Sequence, residues 1–234
     1  TNESYLGRLN KAKKQDKYKI NINPNELQDY LKEGYIKSDR KFATKVQVIK
    51  SKPFEKQFED DIWCMLYGLG FRILNIDETF ELKYGTKDVD WQQIDAIAVN
   101  DEVAILVECK ASEKSTKVNY KSDIESLPLK IAGYRKCINE VFGHRRLKYV
   151  FATRNQIVGD ADTERLLDLN IFHIDDNAFS YISSLIKNYK AASIYQFLGM
   201  MFKGEIINND PIDIPAISGK MGGKNYYMFS IEPG

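Results

Sequence analysis

The sequence predicts an α/β sandwich built on a mixed central sheet. Three observations carry this. From residue 54 onward the apolar patterning runs helix, strand, hairpin, helix, strand, helix, strand, helix. The run Val103–Val107 is apolar at every position, as in a central strand covered by helices on both faces. Residues 51–71 and 123–142 carry apolar stripes of helical period.

The 234 residues suffice for one large domain or one and a half ordinary ones. With 43% hydrophobic and 29% charged residues, a soluble globular chain is expected. A net charge of +1 excludes a uniformly basic molecule, so any positive surface must be local. Residues 1–57 carry 14 Lys/Arg against 7 Asp/Glu, and residues 111–150 carry 9 against 4. Cys64, Cys109 and Cys137 are odd in number and lack paired short spacings. That excludes a disulfide framework and a zinc ribbon and leaves small buried residues. There is no signal peptide and no apolar run of about 18 residues. A cytoplasmic protein with no membrane association is expected.

Residues 1–22 are basic and polar, with Lys11, Lys13, Lys14, Lys17 and Lys19, and read as a solvated arm or lead-in strand. Asn23-Pro24 is an N-cap followed by proline at N1. A short helix follows over Glu26–Glu33 and stops at Gly34. Phe42–Ile49 alternates apolar and polar, as a strand does. Ser51 and Pro53 start the first strong helix, with Phe58, Ile62 and Leu66 in its stripe, and Gly70 ends it. Glu55 and Glu59 share a face beside that stripe, so either could reach a site beneath it. Strands are expected over Phe71–Leu74 and, as an edge or loop, over Glu78–Lys83.

Then comes WQQIDAIAVNDEVAILVECK, Trp91–Lys110, which reads as a hairpin of strands 91–99 and 103–110. A turn spanning Asn100 to Val103 places Asp95 directly opposite Glu108. Directly paired residues have Cβ atoms roughly 5 Å apart. Lys110 follows Glu108 by two and points from the same face. Two carboxylates beside buried strands are costly and repel each other unless a cation neutralises them. All-oxygen ligands suit Mg²⁺ or Mn²⁺ rather than zinc. The backbone carbonyl of Cys109 would project toward the same ion. Glu59 could complete the coordination shell or hold a metal-bound water. Lys110 could position the attacking water or offset charge on a scissile phosphate.

Ala111–Asn119 reads as a polar, flexible segment. Lys114, Lys117 and Lys121 follow the acidic hairpin directly and are the expected DNA-phosphate contacts. A helix over 123–142 contains Pro128 and ends at Gly143. Leu147–Ala152 is a buried strand, Asp160–Leu169 a helix, Ile171–Ile174 a strand and Ala178–Tyr189 a helix capped by Asp175-Asp176-Asn177. Arg145, Arg146 and Lys148 are expected to face water, and His173 to be a satisfied core residue. An apolar helix over 191–203 precedes a proline-bearing loop (205–216), the glycine-rich GKMGGK (219–224) and the strand-like YYMFSI. GKMGGK lacks the spacing of a phosphate loop. The chain stops just after a strand-like stretch, so it is expected to be part of a longer protein.

Asp95 with Glu108-Cys109-Lys110 resembles the D and ExK of the PD-(D/E)XK nuclease superfamily. Ile94 stands where the motif's proline would be. QFEDDIWCMLYGLGF, Gln57–Phe71, resembles the superfamily's leading helix and places its glutamate on Glu59. The resemblance implies a restriction-endonuclease-like αβββαβ sandwich. Its implied activity is Mg²⁺- or Mn²⁺-dependent DNA hydrolysis through Glu59, Asp95, Glu108 and Lys110. A wider resemblance rests on QFEDDIWCMLYGLGF, QIDAIA, VECKAS, the YQFLG and MFKG stretches and IPAISGKMGGKNYYMFSIEP. These look like the N-terminal half of bacterial DGQHR-domain proteins, related to the phosphorothioation accessory protein DndB. It implies a basic lead-in (1–50) packed on the core, a nuclease-like domain (51–190), and a linker helix with the start of a DGQHR-like domain (191–234). Its implied setting is DNA modification, restriction or phage defence. The implied partners are DNA, other proteins of such a system, and a second copy of the chain. The alternative left open is a catalytically silent nuclease-fold module that binds DNA or regulates assembly.

Overall fold

A computed structural model describes residues 2–13, 16–76 and 78–202. The proline-bearing loop, GKMGGK and YYMFSI lie outside the described residues. Among the described residues, no helix is long and apolar enough to cross a membrane.

The central layer is a five-stranded sheet. Its strands are β4 (Ile73–Leu74), β7 (Ala96–Val99), β8 (Val103–Val118), β9 (Arg146–Val158) and β10 (Phe172–Ile174), in the order β10-β9-β8-β7-β4. β7 is antiparallel to both its neighbours, β4 and β8, whereas β8, β9 and β10 are parallel, so the sheet is mixed. Between residues 54 and 158 the chain runs α3 (Phe54–Gly68), β4, β7, β8, α4 (Lys121–Phe142), β9. A separate two-stranded pair, β5 (Glu81–Lys83) with β6 (Trp91–Gln93), is inserted between β4 and β7.

Alternation along β8 divides the core in two. Val103, Ile105 and Val107 pack with Phe58, Ile62, Trp63 and Leu66 of α3, and with Ile182 of α6 (Asp176–Tyr189) and Phe197 of α7 (Ser193–Met201). Ala104 and Leu106 pack on the other face with Ile124, Leu127 and Tyr134 of α4 and Leu166 of α5 (Asp160–Asp168). Burial on both faces is why this strand reads as an unbroken apolar run. Gly70, at φ +94°, ends α3 in a left-handed conformation that other residues adopt only under strain. Asp175 caps α6 by accepting from the Ala178 N–H at 2.7 Å. Gly133 lets α4 lie against the β5 segment: a Cβ there would stand 1.7 Å from the Tyr84 carbonyl oxygen.

The N-terminal part departs from expectation. Residues 2–12 form a helix, α1 (Asn2–Ala12), and not an arm. Tertiary ion pairs hold it. Arg8 reaches Asp60 at 2.9 Å and Glu78 at 2.7 Å, and lies 5.6 Å from the Trp63 ring. Lys52 bonds the other Asp60 oxygen. The strand expected at 42–49 begins later, as β3 (Val46–Ser51), and a strand not expected, β2 (Ile36–Lys41), precedes it. With β1 (Lys17–Ile22) they form an antiparallel sheet in the order β1-β3-β2. Between β1 and β2 lies the predicted cap. Asn23 and Glu26 form a capping box over a 3-10 turn, Pro24–Glu26, which leads into α2 (Leu27–Lys32).

Three further boundaries differ. The strand expected at 91–99 breaks at Ile94-Asp95, where the chain leaves β5 and joins β8. The segment 111–119, expected to be flexible, continues β8 to Val118 and pairs in parallel with residues 156–158 of β9. A remote strand supplies the hydrogen bonds that its polar side chains do not advertise. Arg145, Arg146 and Lys148 are not simply solvated. Arg145 donates to the Asn100 carbonyl at 2.7 Å, Arg146 lies over Phe202, and Lys148 is buried with Asn170.

Candidate active site

The site forms where the pairing of β7 with β8 ends while β8 stays paired with β9. Ala96 pairs with Val107 and Ile97 with Leu106. Extended by one residue, this register sets Asp95 across from Glu108. The turn closes with the Asn100 N–H donating to the Val103 carbonyl at 3.0 Å. The Asn100 side chain accepts from Glu102 and Val103 at 2.9 and 2.8 Å. A one-residue slip would turn the acids to the opposite face, so this capped turn fixes the site.

Asp95 is anchored at both ends. Its Oδ2 accepts from the Cys109 N–H at 2.7 Å. Its carbonyl accepts from Asn75 Nδ2 at 3.4 Å, while Asn75 Oδ1 accepts from the Ile97 N–H at 3.1 Å. Asn75 is in turn fixed by the Trp63 indole N–H, which donates to its carbonyl at 2.8 Å. The N–H and C=O of one extended residue point to the same side. The Cys109 carbonyl therefore faces the Asp95 side of β8. The Cys109 side chain packs into the core, and burial pushes its thiol well above the ordinary value.

Glu108 and Lys110 share one face, and Lys110 Nζ donates to Glu108 Oε1 at 2.8 Å. The hydroxyl of Tyr149, on the adjacent β9, lies 3.4 Å from the other Glu108 oxygen. Burial lowers the Lys110 ammonium's affinity for its proton. The hydrogen bond and charge of Glu108, with Asp123 and Asp95 behind it, outweigh that and raise its pKa. Lys110 is thus a fixed cation.

Glu59 comes from α3. It is buried, whereas Glu55 one turn earlier is exposed. This separates the two acids that sequence spacing left equivalent. Lys56 Nζ bonds both Glu59 oxygens, at 2.9 and 2.7 Å. Burial raises the Glu59 pKa, Lys56 opposes the rise, and Asp60 and Glu78 add to it.

Asp95 records the convergence of these groups. Burial first, then the negative charges of Glu59 and Glu108, push its carboxyl from 3.8 up to about 7. The Cys109 N–H and Lys56 oppose the rise without cancelling it. The charges of Glu59, Asp95 and Glu108 and of the ammonium groups of Lys56 and Lys110 thus act on one another there. Among the described residues, no three His, Cys, Asp or Glu side chains converge into a ready-made metal cage. The donor set still fits a hard divalent cation, which binds through one or two carboxylates and keeps several waters. Asp95, Glu108 and the Cys109 carbonyl are such donors.

Lys114 and Lys117 are exposed on the β8 extension, and Lys121 is exposed at the start of α4 with Glu125 at 4.0 Å. His173 is half-buried, with Nε2 2.9 Å from Thr153 Oγ1. Sequence reasoning missed Lys56, Asn75 and Tyr149. Lys56 has a visible signal, its i, i+3 spacing to Glu59. Asn75 and Tyr149 have none, because each acts across a long sequence separation.

No family model matches the chain, and no curated protein matches it. Among solved structures it is similar to Can2 from Sulfobacillus thermosulfidooxidans, a complex with cyclic tetra-adenylate. The identity is 20%, covering 79% of this chain and 51% of that one, with a TM-score of 0.37. It is also similar to protein VC1899 from Vibrio cholerae, at 12% identity over 82% of this chain and 52% of that one, with a TM-score of 0.39. Both likenesses are distant, and the chain spans about half the length of each.

Proposed function

We propose that this chain carries a restriction-endonuclease-like nuclease domain that hydrolyses DNA phosphodiesters with a divalent metal ion. The observation that carries this reading is the register that sets Asp95 across from Glu108, with Lys110 on the same face. The order α3, β4, β7, β8, α4, β9 supports the αβββαβ assignment. Asp95, Glu108 and the Cys109 carbonyl would hold Mg²⁺ or Mn²⁺, with Glu59 reaching it directly or through a water. When bound, the ion supplies Lewis acidity at the phosphate and lowers the pKa of a water.

The chain's own groups do the rest. The Cys109 N–H and Asn75 hold Asp95 in place. Lys110, kept charged by Glu108, orients the attacking water or stabilises charge on the scissile phosphate. Lys56 positions Glu59. Lys114, Lys117 and Lys121 contact DNA phosphates. The protein works in the cytoplasm within a DNA-modification, restriction or phage-defence system. There it is related to DGQHR-domain proteins and assembles with other proteins of that system or with a second copy of itself.

A second reading, a silent nuclease-fold module that binds DNA or regulates assembly, is favoured by one observation. Lys56 and Lys110 already occupy oxygens of Glu59 and Glu108. The two readings separate when supercoiled and linear DNA are incubated with the chain and Mg²⁺ or Mn²⁺, beside Asp95→Ala and Lys110→Ala. Metal-dependent nicking lost in both variants is expected. Absence of nicking, or nicking that survives both substitutions, sides with the silent module.

A further inference from the structure

A second feature lies beside the acidic hairpin and is not used by the proposed chemistry. α1 and β1, with Lys52 just before α3 and the segment around Ile76, Glu78 and Thr79 that precedes β5, form a cleft of about 510 Å³. Its lining includes five cations, Arg8, Lys11, Lys17, Lys19 and Lys52, against one acid, Glu78. Tyr18, Ile20 and Ile76 supply an apolar floor.

The cations have two roles. Arg8 and Lys52 are buried and committed to Asp60 and Glu78, so they build the wall and hold α1 on α3. Lys11 and Lys19 are exposed, and Lys17 is half-buried with its nearest acid, Asp16, at 3.8 Å. These three give the rim a surplus of positive charge. Like charges gathered on one rim repel, and an anionic partner relieves that repulsion.

Hydrogen bonds tie the cleft to the candidate active site. Gln93 Nε2, two residues before Asp95, donates to the carbonyl of Glu78 in the cleft lining at 3.0 Å. Asn75, next to Ile76 of the lining, donates to the Asp95 carbonyl at 3.4 Å. A strand held at Asp95 would therefore have the lysines of the cleft within reach.

We propose that this cleft binds the phosphate backbone of the DNA flanking the scissile position, with Lys11, Lys17 and Lys19 as its phosphate contacts. The N-terminal module would then be a docking arm that extends the substrate footprint. This rests on the reading of the chain as acting on DNA, but binding can be measured apart from cutting.

The test is fluorescence anisotropy of labelled duplex DNA with the 234-residue chain in EDTA across a salt series. It compares wild type, Lys11→Ala/Lys17→Ala/Lys19→Ala, and a control that removes equal charge elsewhere, Arg72→Ala/Lys136→Ala/Lys187→Ala. Each phosphate contact contributes about 0.9 to the slope of log affinity against log salt. The cleft variant is expected to bind about tenfold or more weakly, with a slope shallower by about 2 to 3. The control is expected to match wild type. Equal losses in both variants, no loss in the cleft variant, or displacement of the DNA by millimolar inorganic phosphate would each overturn the proposal. A very short duplex reaching only the hairpin should be cut equally by wild type and the cleft variant. If nothing is cut, the nuclease reading fails while the binding result still decides the cleft.

Discussion

Replacing Asp95 with asparagine removes the charge that the site cannot hold unaided. In the folded chain its carboxyl rises from 3.8 to about 7, through burial and the charges of Glu59 and Glu108. Each tenfold change in proton affinity is worth 1.36 kcal/mol, which gives an upper limit of about 4 kcal/mol. The sign follows from proton counting. Between pH of about 4 and about 7 the folded chain keeps a proton that the unfolded chain has released, so stability falls as pH rises. The penalty is absent below the unfolded value and complete above the folded one. Asp95→Asn removes it while keeping the shape of the side chain. Thermal unfolding by circular dichroism, in EDTA at a series of pH values, measures the difference. A chain of this size shifts its midpoint by about 2–4 °C per kcal/mol. The wild type should lose several degrees relative to the variant between pH 4 and 7, and the two should run parallel below that window. Mg²⁺ at neutral pH should restore the wild type, by about 2.7 kcal/mol at a hundredfold excess over its Kd, and leave the variant unmoved. Parallel profiles across the whole range would refute the raised proton affinity of Asp95 in the folded chain.

Other perturbations probe the scaffold. Arg8→Met leaves buried Asp60 with Lys52 as its remaining ion-pair partner among the described residues, and should cost about 3 kcal/mol, read as a lower urea midpoint at unchanged slope. An unchanged midpoint would mean α1 does not depend on that pair. Gly133→Ala forces a methyl against the Tyr84 carbonyl and should destabilise by about 1–3 kcal/mol or more. A neutral effect in urea titration would contradict the close approach of α4 to the β5 segment. Tyr134→Phe removes a buried hydroxyl that has no hydrogen-bond partner among the described residues. The variant should therefore unfold at the same temperature or a higher one, and a loss above about 1 kcal/mol would show that the hydroxyl has a partner.

The hairpin was legible because its signals are local. Two unbroken apolar runs, a polar turn between them and acids at the strand ends fix a register without knowledge of the remaining fold. The stripes of α3 and α4 were legible for the same reason. The parts that escaped depend on remote partners. α1 is held by Arg8 reaching residues 60 and 78, so its sequence reads as a solvated basic arm. The β8 extension from Ala111 to Val118 is polar and exposed, and its order comes from pairing with β9. Asn75, which pins both sides of Asp95, has no sequence signature. The choice between Glu55 and Glu59 turned on burial, which spacing alone does not carry.

The central claim is that metal-activated water breaks a phosphodiester at the Asp95–Glu108–Lys110 cluster. Single-turnover cleavage of a defined duplex in heavy-oxygen water, with mass spectrometry of the products, tests it most directly. With Mg²⁺ or Mn²⁺ the wild type should release fragments whose new terminal phosphate carries one heavy oxygen. EDTA and Asp95→Asn should abolish the products, and Lys110→Ala should slow them by about 10²–10³-fold. No cleavage, unlabelled termini, or labelled products made equally by the variants would contradict it.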